Sequence, residues 1–238
     1  MLRAQTIVHR REPEMPSELF LCAECPLNPE DQICRSRQGD GPDGCPTLLQ
    51  ESAISGYVKH YEDPETREFA RQASLQEASC YVDREADPFV LHPVKPRLQE
   101  ICEFAARMGY QRLGLAFCSG LREEARVLAE VLVGQGFELV SVVCKVGCEP
   151  KEGIGISDPE KIRAGQFEVM CNPISQAELL NDAGTEFNIM MGLCVGHDCL
   201  FLKHARAPTT VFAVKDRVLG HNPLAAIYTR GSYYARLG

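Results

Sequence analysis

The sequence predicts an α/β protein: a mostly parallel, doubly wound sheet, preceded by a Cys-rich metal-binding loop segment and a helical region. Three observations carry that prediction. Four apolar runs of strand length, LGLAFC, FELVSVVC, FNIMMGLCV and TTVFAVKD, lie in the second half of the chain. Segments of helical character, LREEARVLAEVLVGQG, PISQAELLNDAG and HDCLFLKHAR, alternate with them. Such alternation implies parallel strands with helices packed on them, and near-continuous apolar strands suit a sheet covered on both faces. Finally, Cys118, Cys144, Cys171 and Cys194 recur at separations of 26, 27 and 23 residues, about the length of one β-α unit.

The elements follow in order. Residues 1–47 form an N-terminal arm and a Cys-rich segment, CAECPLNPEDQICRSRQGDGPDGCP, dense in Gly and Pro and too polar to build a core. Its Asp40-Gly41-Pro42-Asp43-Gly44 stretch reads as a turn run, because it lacks the spaced acidic ligands of a calcium loop. Residues 48–110 form the helical region. Two helices break at Asp63-Pro64, and a third runs from Leu98 to Met108 with Leu98, Ile101, Cys102, Ala105 and Met108 on one face. Gly109 is its stop. Residues 111–238 are the α/β domain, and the last segment, HNPLAAIYTRGSYYARL, adds an edge strand or a helix.

Composition narrows the function. The 238 residues are 45% hydrophobic and 24% charged, with a net charge of -8, which argues against nucleic acid or an anionic membrane as main partner. No run approaches the roughly 20 apolar residues of a membrane span, and MLRAQTIVHRREPEMPSELF lacks the apolar core of a secretory signal. The chain is therefore expected to be cytoplasmic. In that reducing setting its 12 cysteines are more readily ligands or catalysts than disulfides.

Ligands of open α/β sheets bind beyond the carboxyl ends of the strands. Cys118, Cys144 and Cys194 end apolar runs, and Cys171 precedes the helix start Asn172-Pro173. All four are thus expected at one sheet edge, beside helix N-termini that favour thiolates, as a metal or iron–sulfur site. Lys145, Lys215 and Asp216 follow strands and could tune its charge. Cys148, His197 and Cys199 are substitutes for one ligand. Cys80 and Cys102 read as core, and His60, His92 and His204 as surface or satisfied core residues. A second set, Cys22-x2-Cys25 with Cys34 and Cys45, suits an all-sulfur site of zinc or iron–sulfur.

The stretches LGLAFCSGL, VVCKVG, CNPISQAELLN, TEFNIMMGLCVGHDCLF and VKDRVLGHNP, with CAEC…CP, resemble a family of uncharacterised cysteine-rich proteins found largely in anaerobic bacteria and archaea. The resemblance runs from Cys22 to Pro223 and implies metal binding, with no activity to carry over.

The expected function is therefore a metal-binding protein with two Cys-rich sites, iron–sulfur or zinc, acting in redox or electron transfer with a partner protein. A different chemistry is also open. Gly192-Leu193-Cys194-Val195-Gly196 matches G-x-S-x-G with cysteine for serine, which would make Cys194 the nucleophile of a hydrolase or acyltransferase. His221 or His197 would be its base and Asp198 or Asp216 the orienter. A small-molecule binding module is a third possibility, although neither G-x-G-x-x-G nor G-x4-G-K-[ST] is present. Asn172-Pro173 and His221-Asn222-Pro223 read as turn chemistry.

Overall fold

A computed structural model describes residues 20, 22–85 and 91–237. The arm expected at the N-terminus lies outside these residues except for Phe20. The chain forms two compact units, Met1–Ala70 and Arg71–Gly238.

In the first unit, 3-10 turns at Cys22–Glu24 and Pro29–Asp31 lead to helices α1 (Pro46–Leu49) and α2 (Glu51–Val58). Backbone bonds from Ile33 N to Asp40 O (2.8 Å) and from Asp40 N to Asp31 O (2.7 Å) close the loop between them. This is how a segment with almost no apolar content is ordered: its polar backbone pairs with itself. Helix α3 (Pro64–Ser79) starts where Asp63-Pro64 predicts a break. Asp63 accepts from Thr66 N at 2.8 Å, and Pro64 needs no donor in the first turn.

The second unit continues from α3 into a short antiparallel pair, β1 (Tyr81–Val82) and β2 (His92–Pro93), and then α4 (Arg97–Arg107). The predicted face of α4 is its buried one: Ile101, Cys102 and Ala105 are in the core. Gly109, at φ 73°, ends it as expected. Then follow β3 (Arg112–Phe117), α5 (Arg122–Gly134), β4 (Glu138–Val143), α6 (Pro173–Asp182), β5 (Phe187–Met191), α7 (His197–His204), β6 (Thr209–Ala213) and α8 (Leu224–Tyr228). The last element settles the choice between strand and helix in favour of a short helix.

The four long strands pair in the order β4-β3-β5-β6, all parallel. Alternation along β3 splits the core in two. Leu113 and Leu115 join Ile101, Leu128, Leu132 and Ile189 under α4 and α5, whereas Ala116 joins Ala177, Leu180, Met190 and Phe201 under α6 and α7. The sheet is thus doubly wound, and the chain reverses its winding between β3 and β5. That reversal leaves a crevice at the carboxyl ends of those two strands.

Between Glu103 of α4 and its neighbours lies a polar tie. Lys95 Nζ stands 2.6 Å from the carboxylate, Gln76 Nε2 of α3 donates at 2.9 Å and Gln99 Nε2 at 2.8 Å. The Lys95 bond, with those of Gln76 and Gln99, holds the Glu103 carboxyl at about 2. A depressed carboxyl stabilises the fold above its unfolded range and loses that contribution as pH falls from roughly 4.3 toward about 2. Glu103→Gln is expected to flatten the loss of stability across that window, read from urea midpoints as a function of pH.

Candidate metal centre

At the carboxyl edge, one backbone rung per strand carries the cysteines. Cys118 N donates to Met191 O at 3.1 Å, Cys144 N to Phe117 O at 2.9 Å, and Asn172 N to Cys144 O at 2.7 Å. Successive rungs therefore set Cys118, Cys144 and Cys171 side by side. Gln176 of α6, fully buried, fastens the same edge from below: its Nε2 donates to Phe117 O (3.2 Å) and Val142 O (2.7 Å). Asn172 caps α6 by accepting from Ser175 N at 3.0 Å, so its reading as turn chemistry holds and also fixes the residue next to Cys171.

The sulfurs meet. Cys171 and Cys144 Sγ are 3.9 Å apart, close to the roughly 3.8 Å between two sulfurs sharing a tetrahedral ion at about 2.3 Å. Cys144 Sγ also accepts from Ser119 N at 3.3 Å. A hydrogen bond with Cys144, and then burial, push the Cys118 thiol up to about 12. The hydrogen bond shared with Cys144 acts oppositely on Cys171, and with Lys145 beside it outweighs burial and lowers that thiol to about 6. Cys171 also feels the charge of Cys194, whose sulfur accepts from Arg217 at 3.0 Å. Lys215 Nζ and Cys118 Sγ both lie beside Gly120, within 4 Å of where its Cβ would be. The thiols thus lie among Lys145, Lys215 and Arg217, which complement the negative charge of a thiolate-bound metal. Arg217 escaped the sequence reading; its signal was its place two residues after Lys215, just past β6.

Among the described residues, no three His, Cys, Asp or Glu side chains already stand as a metal-holding group. The Cys144–Cys171 pair alone has the separation of two ligands to one ion. As a donor set, thiols ringed by cations fit zinc or an iron–sulfur cluster and suit magnesium or calcium poorly.

Cys194 differs from the others in placement. The run FNIMMGLCV is not one strand: β5 ends at Met191, and Gly192 turns away at φ 67°. A side chain there would put its Cβ 2.1 Å from Leu121 Cδ1. The even spacing also has a different origin from the one expected. Cys118 to Cys144 spans α5 and β4. Cys144 to Cys171 instead spans an irregular excursion, closed at its base by Met170 N to Glu149 O (2.8 Å) and Lys151 N to Glu168 O (2.9 Å).

The groups considered for a nucleophilic Cys194 are engaged in turns. Asp198 Oδ1 accepts from Gly196 N and Cys199 N, and Asp216 Oδ1 from Val218 N and Leu219 N. His221 Nδ1 lies 3.0 Å from Val214 O and 3.1 Å from Asp216 N. His197 opens α7, its N–H bonded to Cys194 O. Both glycines of the motif, Gly192 and Gly196, have positive φ, so backbone geometry alone accounts for them.

Of the remaining candidates, Cys148 and Cys199 are exposed, and Cys80 and Cys102 are buried as core. His60 and His92 are exposed, and His204 faces Glu178 at 3.6 Å.

In the first unit, Cys22, Cys25, Cys34 and Cys45 line one cavity of about 100 Å³ with Gln32. Cys25 N bonds to Cys22 O (3.4 Å), folding the CxxC turn, and Cys45 precedes α1 as its N-cap. Gln32 reaches two of the sulfurs, Cys25 at 3.8 Å and Cys34 at 3.7 Å. Gly41 lets Cys45 in, since a Cβ there would lie 2.8 Å from its sulfur.

The thiol asymmetry at the sheet edge gives a direct expectation. In metal-free protein, iodoacetamide should modify Cys171 with a rate titrating near about 6, while Cys118 stays unmodified at neutral pH. Peptide mapping by mass spectrometry across pH checks it, and faster modification of Cys118 than of Cys171 at pH 7 contradicts it.

Comparison with known proteins agrees with the resemblance in the motifs. The chain is 45% identical over 179 residues to an uncharacterized protein of Methanocaldococcus jannaschii, covering 75% of this chain and 84% of that one. No solved structure matches. No helix among the described residues is long and apolar enough to cross a membrane. A family model described as protein of unknown function (DUF1847) matches residues 45–212, a span that takes in all four sheet-edge cysteines and begins at Cys45. The chain therefore belongs to the DUF1847 family of proteins of unknown function.

Proposed function

We propose that this is a cytoplasmic metal-binding protein with two Cys-rich centres, iron–sulfur or zinc, that acts in redox or electron transfer with a partner protein. The supporting observation is the convergence of Cys118, Cys144 and Cys171, with Cys194 in electrostatic reach, at the carboxyl edge of one sheet. The residues that would hold the first centre are these four, and Cys22, Cys25, Cys34 and Cys45 would hold the second. A bound cluster supplies one-electron chemistry, whereas zinc supplies a fixed structural charge. The chain's own part is to keep the sulfurs on adjacent rungs, balance their charge with Lys145, Lys215 and Arg217, and bury Cys118 and Cys144 from water.

The test is the iron, zinc and acid-labile sulfide content of protein made and kept without oxygen. Metal at two centres per chain is the expected result. A colourless protein with neither iron nor zinc, even after reconstitution, ends this reading.

A further inference from the structure

We infer that Cys144 and Cys171 are also a dithiol pair, which in the metal-free protein reduces a low-molecular-weight disulfide and closes an intramolecular bond, and that this bond and a metal on the same sulfurs exclude one another. Only the last clause rests on the function proposed above.

The geometry carries the pairing. The two sulfurs are 3.9 Å apart and must approach by only about 1.9 Å to reach bonding distance. The Asn172 N to Cys144 O bond of 2.7 Å keeps the two main chains adjacent, so closure requires side-chain rotation and little backbone movement. Access is divided between the two thiols. Cys171 is half-buried and reachable, while Cys144 is 2% exposed. An external disulfide therefore meets Cys171 first, and Cys144 is placed to resolve the product. Cys118, the other thiol beside Cys144, is itself buried at 9% exposure.

The chemistry balances. The Cys171 thiolate attacks one sulfur of the disulfide RSSR, forming a mixed disulfide and releasing RS⁻. Cys144 gives up its proton and attacks the Cys171 sulfur, forming the Cys144–Cys171 bond and expelling the second RS⁻. The protein loses two electrons and two protons, and RSSR becomes two RSH. Once the bond has formed, neither sulfur is a thiolate, so neither can ligate a metal.

The experiment treats full-length protein, reduced and stripped of metal, with oxidised glutathione under argon, then blocks remaining thiols and maps the peptides. A Cys144–Cys171 linkage, about 2 Da below the reduced pair, is expected. In Cys144→Ser a stable glutathione adduct on Cys171 should accumulate in its place. In Cys171→Ser, modification of Cys144 should slow about tenfold, because the accessible attacking thiol is gone. Linkage of Cys144 to Cys118, or an adduct persisting on Cys171 in the unsubstituted protein, overturns the pairing. A parallel arm uses protein loaded with zinc. Protection of both cysteines there supports mutual exclusion. Formation of the same linkage at an unchanged rate, with zinc retained, overturns the exclusion and removes the two residues from the ligand set, yet leaves the dithiol pair standing.

Discussion

Cys118→Ala is expected to abolish one metal centre and leave the other at full occupancy, and Cys194→Ala is expected to abolish the same one. Cys118 and Cys194 are 76 positions apart, so only the fold can make them share a fate. The rungs at Met191–Cys118 and Phe117–Cys144 put the first cysteine next to Cys144, and Cys194 follows β5, the strand that ends at Met191 and receives the Cys118 rung. On the proposed reading, losing one of four thiolates would forfeit both a bond and the charge that balances Lys145, Lys215 and Arg217. Since a structural metal can contribute on the order of 10 kcal/mol, that loss should also lower thermal stability. Cys25→Ala is the complement, removing the centre of the first unit alone. Metal and sulfide counts per chain decide the matter. If Cys118→Ala and Cys194→Ala remove different centres, or neither removes any, the four sheet-edge cysteines are not one site.

The second large effect is one of backbone geometry. Gly192→Ala should destabilise the second unit by about 3 kcal/mol, combining the cost of left-handed φ with overpacking. Its backbone sits at φ 67°, and the new methyl would meet Leu121 Cδ1 at 2.1 Å. Leu121 is buried at the start of α5, with its N–H on Cys118 O at 2.8 Å. Its side chain packs in the core cluster, so turning Cδ1 aside costs buried contacts. Gly155→Ala is the control: its φ of 81° is left-handed too, yet nothing lies within 4 Å of the added carbon. It should cost about 1 kcal/mol, for the backbone term alone. Denaturant midpoints of the two variants, measured side by side on metal-free protein, check the difference. Equal midpoints would show that Leu121 gives way freely.

The alternation of apolar runs with amphipathic segments made the sheet legible, because each strand is covered on both faces and each helix on one. Asp63-Pro64 and Gly109 were legible because their effect is local. Strand order was not, since the reversal between β3 and β5 depends on which faces the helices cover. The pair β1 and β2 was missed because two residues per strand carry no period. Backbone rungs put Cys118, Cys144 and Cys171 side by side at the sheet edge, whereas Cys194 was drawn onto a strand that Gly192 had already ended. Arg217 was missed because a guanidinium on an exposed turn looks like any surface charge until its sulfur partner is known.

The excursion between Cys144 and Cys171 has a consequence for how such chains vary. Its stem is pinned by paired backbone at Glu149–Met170 and Lys151–Glu168, so the residues beyond the stem do not set where Cys171 lands. Insertions or deletions there would change the count between the two cysteines without changing the gap between their sulfurs. The interval is a clasp with an adjustable tail, and related chains should be aligned on the clasp, not on the count.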